Sequence, residues 1–356
     1  MNELELYLKE TGNLLEVYRK THPVFPLYPD ELQEGAFAYF LRGGKRLRPA
    51  LARLSAGALG GEKAENAVIP LALGLELYHN WTLIHDDVID HDLTRRGQKS
   101  VHVFAGEKFS SYKKGMEYGE DVAILAGDAL HSAALFYIAS LADGGVVSAE
   151  TALGVIRELE GDFGLRLISG ETLDTKNGLL FADCFHKVTD EDVLKVIAGK
   201  TAALFGISAL AGAFAGQNSP RRTPEALALL EFAENCGMAF QLQDDILGLS
   251  ADEKKLGKPL YSDLREGKAT LILLAAYRNA GEKDREFLRG VIGKTEDTAL
   301  LSRAKEILFA AGGVEYAEKT AEDYLKKAET ALCRLPESRE RALLQALCFF
   351  MLRRDR

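Results

Sequence analysis

Cysteine is scarce in this sequence, and basic residues are fewer than acidic ones. Four cysteines occur in 356 residues, at positions 184, 236, 333 and 348, and no two form a Cys-x-x-Cys pair. This spacing argues against a zinc site or a disulfide framework and predicts free thiols in a reducing compartment. The 44 basic residues are outnumbered by 53 acidic ones, which leaves a net charge of −9. We therefore expect no nucleic-acid partner.

Long apolar runs are also lacking. No apolar stretch approaches the roughly 18–20 residues of a membrane span. The first residues, MNELELYLKETGNLLEVYRK, mix acids with an amphipathic rhythm instead of a basic start and an apolar run. We therefore expect no signal peptide, no integral membrane segment and a cytoplasmic location.

Strict alternation of apolar and polar residues, the pattern of a β-strand, does not persist anywhere in the chain. Nearly every long segment has helical spacing instead. Several segments, such as EDVAILAGDALHSAALFYIASLA, are apolar almost all round and predict helices inside a bundle. Gly212 and Gly216 lie four residues apart, where they allow helices to approach closely. The sequence predicts an all-α fold, with a single domain over residues 1–356.

Two acidic motifs end strongly apolar helical segments. In DDVID, Asp86 and Asp90 are four apart and project from one helix face, with Asp87 beside them. In FQLQDDILGL, Asp244 and Asp245 close another apolar run. Neighbouring carboxylates of this kind suit Mg²⁺, which takes one or two carboxylates together with substrate phosphates. A solvated charge run is the alternative for either motif alone, but a second motif makes it a poor explanation.

Basic residues recur near these acids. They occur in GGKRLRP, in the Arg95-Arg96 pair, in Lys200-Thr201, and at Lys258 and Lys268. Lysine serves phosphate as a point charge and arginine as a bidentate fork. Glycines 43 and 44 would let the backbone come close to an anion. The set predicts one phosphate subsite reached through metal and another reached by direct cation contacts.

These motifs, in this order and spacing, resemble the trans-prenyl diphosphate synthase family over almost the whole chain. GGKRLRP, DDVID with DLTRRG, KTAALF and FQLQDDILGL…LGKPLYSDLREGKAT carry the resemblance, and the pattern is most similar to archaeal geranylgeranyl diphosphate synthases. The resemblance implies a bundle of roughly 10–13 helices around a central active-site cavity, a homodimer, and two or three Mg²⁺ ions. It also implies head-to-tail condensation of isopentenyl diphosphate with dimethylallyl, geranyl or farnesyl diphosphate.

Residue roles follow from the resemblance. The metal ligands would be Asp86, Asp87, Asp90, Asp244 and Asp245. The isopentenyl diphosphate site would be Lys45, Arg48, His79 and Arg96. The allylic diphosphate would be held by Arg95, Lys200, Thr201, Gln241, Lys258 and Lys268. Of these, Lys200, Thr201 and Gln241 would also steady the positive carbon. Glu171 and Asp174 stand where relatives have a Gln-x-x-Asp pair, and we leave them outside the predicted site.

Product length is predicted from the turns before DDVID. Trp81 is the family's candidate for limiting the tail, whereas Tyr78 and Thr82 lie nearer the Asp86 face of an ideal helix. An aromatic residue five positions before the motif matches the archaeal geranylgeranyl pattern, so the resemblance implies geranylgeranyl diphosphate, the C20 product. Three alternatives stay open: a farnesyl (C15) or longer-chain synthase, a non-catalytic subunit of a heteromeric synthase, and two aromatics that are only core residues.

Overall fold

The computed structural model describes residues 2–24, 26–183, 187–250 and 261–352, and these residues are overwhelmingly helical. The α-helices up to residue 250 are labelled α1 to α11 in order: Glu3–Thr21, Asp30–Leu41, Leu47–Ala67, Ile69–Ile89, Val101–Lys108, Gly115–Ala139, Ala149–Glu158, Gly164–Asp183, Asp190–Val196, Ala203–Gln217 and Pro224–Ser250. Six further helices follow: Ser262–Glu266, Leu271–Asn279, Glu282–Val291, Thr298–Ala310, Gly313–Leu332 and Arg339–Leu352. The predicted all-α class is confirmed.

The chain forms two compact units. The first unit contains Met1–Leu159, Ser208–Leu229 and Leu335–Leu347, and the second contains Glu160–Ile207, Leu230–Arg334 and Cys348–Arg356. Helices α10 and α11 therefore contribute residues to both units. A single domain over residues 1–356 stays a prediction.

Small residues set the packing of the first unit. An added Cβ on Gly212 would lie 2.1 Å from the carbonyl oxygen of Ala52, and one on Gly216 would lie 2.5 Å from that of Ala56. Both carbonyls belong to α3, so the two glycines let α10 lie directly against the α3 backbone. The predicted close approach at these positions is confirmed.

A short β-hairpin follows α4. Strands β1 (Thr94–Arg95) and β2 (Gln98–Lys99) pair antiparallel, with Arg95 opposite Gln98. Arg96 and Gly97 form the two-residue turn with φ of 55° and 73°. Positive φ at both central positions is the geometry of a type I′ turn, which matches the twist of the two strands. Glycine adopts it without strain, and Arg96 adopts it at a cost that its side-chain contacts offset.

The second unit has its own apolar core. Side chains from α9, α11 and the helices between Leu271 and Leu332 form it, including Val193, Leu242, Leu273 and Leu308. Two π-helical turns, Leu159–Phe163 and Ile197–Ala202, interrupt long helices. The Sγ atoms of the buried Cys236 and Cys348 lie 3.0 Å apart in this unit, and both thiols are free, as predicted. Cys184 lies outside the described residues.

The number of helical segments exceeds the predicted 10–13 because the structure divides the chain more finely. The π turns at Leu159–Phe163 and Ile197–Ala202 separate α7 from α8 and α9 from α10, and short helices such as Val101–Lys108 and Ser262–Glu266 add to the number.

Two helical stretches correct the statement that no segment is long enough to span a membrane. Gly115–Ala142 and Asp190–Gln217 are each 28 residues long, and the most apolar 18-residue window of each has a mean hydropathy of 1.6. The most apolar window of Asp190–Gln217 is 72% buried within the protein, which is typical of a core helix. The corresponding window of Gly115–Ala142 is 50% buried.

Gly212→Ala tests the helix approach. The new methyl group would meet the Ala52 carbonyl oxygen, so we expect the free energy of unfolding to fall by about 1–3 kcal/mol despite better helix propensity. Gly290→Ala is the matched control, since this exposed helical glycine has open space around it and should gain about 0.5–1 kcal/mol. Urea unfolding measures both, and equal effects of the two substitutions would contradict the packing argument.

Candidate active site

The first acidic motif ends α4 in the first unit. Asp90 caps the helix, and its backbone N–H donates to the Asp86 carbonyl oxygen at 2.8 Å. Asp86 and Asp90 each offer a carboxylate oxygen, and the two atoms lie within 4.8 Å of each other. The predicted placement of this pair on one helix face is therefore what the structure has.

Asp87 points into the protein instead and is fully buried. Arg95 donates from Nε to Asp87 Oδ1 at 2.6 Å and also from its terminal nitrogen, and the Tyr39 hydroxyl donates to Asp87 Oδ2. Burial raises the pKa of Asp87, while Arg95 and Tyr39 act to lower it. Because a buried carboxylate without partners is costly, these donors are part of the fold. A metal role for Asp87 stays a prediction, and its present contacts are with protein.

Arg95 connects three aspartates. Besides Asp87, its terminal nitrogen lies 2.9 Å from Asp92 Oδ2 and 3.5 Å from Asp86 Oδ2. The hairpin that carries Arg95 is thereby held against the end of α4. The sequence assigned Asp92 no role, but the structure makes it a partner of a predicted diphosphate-binding arginine.

A cationic cluster surrounds His79. Burial, followed by the positive charges of Arg48, Arg96, Arg95 and Arg46, lowers the pKa of His79 well below its usual range. The imidazole is therefore neutral at pH 7 and donates or accepts a hydrogen bond without adding charge. Three of the four predicted isopentenyl diphosphate residues thus share one neighbourhood, and the fourth, Lys45, is exposed in the adjoining loop.

Arg96 connects this cluster to the glycine loop, which is the segment that contains Gly43 and Gly44 between α2 and α3. Its guanidinium donates to the carbonyl oxygen of Tyr39 at 2.5 Å and to that of Gly43. An added Cβ on Gly44, whose φ is +142°, would lie 3.0 Å from an Arg96 nitrogen. Room for a backbone approach to an anion was the predicted reason for these glycines, whereas the structure shows that Gly44 makes room for Arg96.

A second buried arginine supports the same loop. Arg46 follows Lys45 with φ of +53°, and its guanidinium donates to Glu76 and, at 2.6 Å, to the Phe40 carbonyl oxygen. Asn80 donates to the Glu76 carbonyl oxygen at 2.5 Å. His79 lies between Glu76 and Asn80 in α4, so the glycine loop and the histidine share one polar framework.

The three predicted chain-length residues differ in their surroundings. Tyr78 is buried and packs edge to face on Trp81, with ring centroids 4.8 Å apart. Trp81 also contacts His131 of α6 at 4.6 Å. Thr82 donates its hydroxyl hydrogen to the His79 carbonyl oxygen at 2.8 Å, so this polar group is hydrogen-bonded within α4.

In the second unit, the π turn Ile197–Ala202 presents Lys200. The Lys200 Nζ lies 2.8 Å from Asp174 Oδ2 and 2.9 Å from Glu171 Oε2. Gly170 permits this contact, because an added Cβ there would lie 2.4 Å from the Lys200 backbone nitrogen. Glu171 and Asp174 are three residues apart on α8, and together they orient the Lys200 ammonium group.

A hydrogen-bonded chain connects the π turn to the second acidic motif. The Thr201 hydroxyl donates to Gln241 Oε1 at 2.8 Å, and Gln241 Nε2 donates to Asp245 Oδ1 at 2.9 Å. Burial, then the negative charges of Asp263 and Asp244, raises the pKa of Asp245 well above its usual range, and the Gln241 amide acts in the opposite direction.

The Asp86 and Asp90 carboxylates fit a divalent cation in the first unit considered by itself. In the first unit, Asp86 and Asp90 offer oxygens close enough to share one ion. In the second, the half-buried Asp245 carboxylate has the negative charges of Asp263 and Asp244 beside it. Oxygen donors are the ligands that Mg²⁺ prefers.

The comparisons with known proteins agree with this chemistry. The Polyprenyl synthetase family model matches residues 30–308. The chain belongs to the polyprenyl synthetase family. It is a trans-prenyl diphosphate synthase, and so an enzyme, as predicted.

Three similar proteins illustrate the range of this family. A short chain isoprenyl diphosphate synthase of Methanothermobacter thermautotrophicus is 37% identical, over 92% of this chain and 91% of that one. A geranylfarnesyl diphosphate synthase of Aeropyrum pernix is 36% identical, over 92% and 95%. The crystal structure of a geranylgeranyl pyrophosphate synthase from Corynebacterium glutamicum, complexed with isoprenyl diphosphate and magnesium, has a TM-score of 0.84 at 27% identity and covers 99% of this chain and 100% of that one.

Two predicted allylic diphosphate residues, Lys258 and Lys268, remain. Lys268 Nζ lies 2.9 Å from Glu266 Oε2, at the end of the short helix Ser262–Glu266. Lys258 lies outside the described residues. Their roles with the allylic diphosphate stay predictions.

Several partners of site residues were missed from the sequence. Tyr39 and Asp263 have no local pattern that marks them, because they meet the site only through the fold. Glu171 and Asp174 do have a signal, since acids three apart share a helix face, but their shared partner is 26 positions beyond Asp174.

Asp245→Asn tests whether the charge of the Asp245 carboxylate destabilises the metal-free protein at high pH. A carboxyl group with a raised folded-state pKa adds stability below its unfolded value of about 3.8 and loses it as the pH rises through the folded value. At pH 8 without metal we therefore expect the variant to melt roughly 2–4 °C higher than wild type, with the difference shrinking toward pH 5.

Mg²⁺ with diphosphate should narrow this difference in melting temperature, because it stabilises only the wild type. The condensation activity of Asp245→Asn should be at least about a hundredfold below that of wild type. Exposed Asp121→Asn is the control and should change neither quantity. A lower melting temperature for Asp245→Asn at pH 8 would contradict the argument.

Proposed function

We propose that this synthase condenses isopentenyl diphosphate head-to-tail with dimethylallyl, geranyl and farnesyl diphosphates and releases geranylgeranyl diphosphate. The observation that supports the C20 product is the packing of Tyr78 on Trp81, which lie eight and five residues before Asp86. Two bulky rings at these positions limit the growth of a tail that lies along α4.

The separation of charges in the first unit supports two diphosphate subsites. Asp86 and Asp90 present negative oxygens, which attract a diphosphate only through a cation. Arg48 and Arg96, beside neutral His79, form a cationic surface that binds a diphosphate directly. Isopentenyl diphosphate, which keeps its diphosphate in the reaction, is assigned to the direct subsite.

Mg²⁺ would be held by Asp86 and Asp90 in the first unit and by Asp244 and Asp245 in the second. When bound, it supplies Lewis-acid neutralisation of the leaving diphosphate. The magnesium in the Corynebacterium glutamicum structure supports this assignment. Two or three ions are the number that the resemblance implies.

Lys200 has the contacts expected of an oriented point charge. Glu171 and Asp174 hold its ammonium group in place, so little reorganisation is needed when an allylic diphosphate binds. Thr201 and Gln241 are fixed by their shared hydrogen bonds, and their oxygens are suited to steady a developing positive carbon. No side-chain base is assigned, since the departing diphosphate accepts the proton in this reading.

We also propose a cytoplasmic homodimer. Exposed apolar side chains on α6, including Ile124, Leu125 and Phe136, support an interface with a second copy. The buried share of Asp190–Gln217 supports a core helix.

The product assay decides the chain length. The purified protein is incubated with Mg²⁺, isopentenyl diphosphate and each allylic primer in turn, and the products are sized after dephosphorylation. We expect C20 to predominate with all three primers. A predominant C15, C25 or C30 product would reject the C20 assignment, and activity only with a second protein would identify a subunit of a heteromeric synthase.

Tyr78→Ala and Trp81→Ala test the limiting role of the two rings. Removing either ring opens space along α4, so we expect products at least one C5 unit longer, while condensation of the dimethylallyl primer continues. Loss of the buried Tyr78 ring should also lower the free energy of unfolding by about 3–5 kcal/mol. Unchanged product distributions in both variants would assign these rings to the core alone.

A further inference from the structure

His85 lies directly before the first acidic motif, and the residues that surround it give it a defined orientation. The Trp81 indole Nε1 donates to His85 Nδ1 at 3.1 Å. His85 Nε2 lies 2.9 Å from the carbonyl oxygen of Ile124 in α6. Because Nδ1 accepts, Nε2 carries the proton and donates to Ile124. The imidazole therefore links the Trp81 ring of α4 to the backbone of α6.

The fold makes room for this ring at one position of α6. An added Cβ on Gly127 would lie 2.1 Å from His85 Nε2 and 2.4 Å from its Cδ2. Any larger residue at 127 would displace the imidazole. The glycine thus permits a close approach that the hydrogen bond to Ile124 requires.

The remaining contacts of Trp81 orient it less specifically. Tyr78 and His131 pack against the indole at centroid distances of 4.8 and 4.6 Å, and both contacts are edge-on. Ring packing of this kind tolerates sliding, whereas a hydrogen bond to the indole N–H fixes the direction of the ring. Of these neighbours, His85 is the one that accepts the indole N–H.

We propose that His85 is a positioning residue for product length, which it sets by holding the Trp81 indole in the orientation that limits the tail. The inference rests on the proposed function, in which Trp81 limits that tail. His85 does not touch the reacting atoms in this reading. Its loss would release the ring toward other rotamers and allow further condensations.

The first comparison separates hydrogen bonding from bulk. His85→Leu introduces an apolar side chain that neither accepts nor donates, whereas His85→Gln retains an amide oxygen that accepts and an amide nitrogen that donates. We expect His85→Leu to raise the ratio of longer products to C20 by about fivefold, which corresponds to about 1 kcal/mol. His85→Gln should restore the wild-type distribution.

Two further variants keep the test decisive if His85→Leu folds poorly. Trp81→Phe removes the N–H donor but leaves the imidazole in place, and Gly127→Ala displaces the imidazole without changing its chemistry. Both should shift products in the same direction as His85→Leu. In the Trp81→Phe background, His85→Leu should add little, since the bond is already absent.

The readouts distinguish positioning from simple loss of structure. For the single condensation of dimethylallyl diphosphate by His85→Leu and Gly127→Ala, kcat and KM should stay within about threefold of wild type while the product distribution moves. A merely structural role would lower the melting temperature and kcat without lengthening the product. His22→Leu, which removes an exposed imidazole elsewhere in the first unit, is the control and should leave product length unchanged.

The outcomes separate the two proposals. If Trp81→Ala leaves the product length unchanged, the proposed role of Trp81 fails. If Trp81→Ala lengthens the product but His85→Leu, Trp81→Phe and Gly127→Ala do not, the role of His85 is overturned and that of Trp81 stands. Lengthening in those three variants, with rescue by His85→Gln, supports both.

Discussion

The burial of one carboxylate organises the site of the first unit. Asp87 is withdrawn from water, and such a charge persists only if donors meet it from every open side. Arg95 and Tyr39 meet that need, and each then acts beyond Asp87. Arg95 reaches Asp86 and Asp92, so the hairpin is fixed to the end of α4.

A second arginine holds the neighbouring loop, which contains Gly43 and Gly44. The Tyr39 carbonyl oxygen and that of Gly43 receive Arg96, the other arginine of the pair. The side chains of the two adjacent arginines therefore have different surroundings. Arg95 contacts the aspartates, and Arg96 belongs to the cationic cluster around His79. The strained left-handed backbone of Arg96 is what separates the two side-chain directions.

The parts of the fold that were predictable are those that local spacing records. Asp86 and Asp90 share a face because a helix repeats every 3.6 residues, and long apolar runs such as that of α6 were predicted as helices because no strand-like alternation interrupts them. The Gly212 and Gly216 spacing indicated a close helix approach for the same reason.

The rest depends on pairings that a local pattern does not encode. Tyr39 reaches Asp87 across 48 positions, and Lys200 finds Asp174 across 26. The reason for Gly44 could not be found either, since the atom that needs the space belongs to Arg96 in a distant hairpin. Short helices such as Ser262–Glu266 span little more than one turn, so their sequence shows no repeated spacing and tertiary packing fixes them.

The π turn at Ile197–Ala202 makes the site of this enzyme sensitive to the number of residues in the turn, and not only to which side chains the turn carries. A π turn holds one residue more than the α-helical path it replaces. Deleting a single residue there would let α9 run into α10 as an ordinary helix and keep the apolar face of α10 in place. Lys200 would turn by about 100° and leave Glu171 and Asp174 without their ammonium partner. The unit would then retain its core and lose its site, so the extra residue belongs to the chemistry and not to the fold.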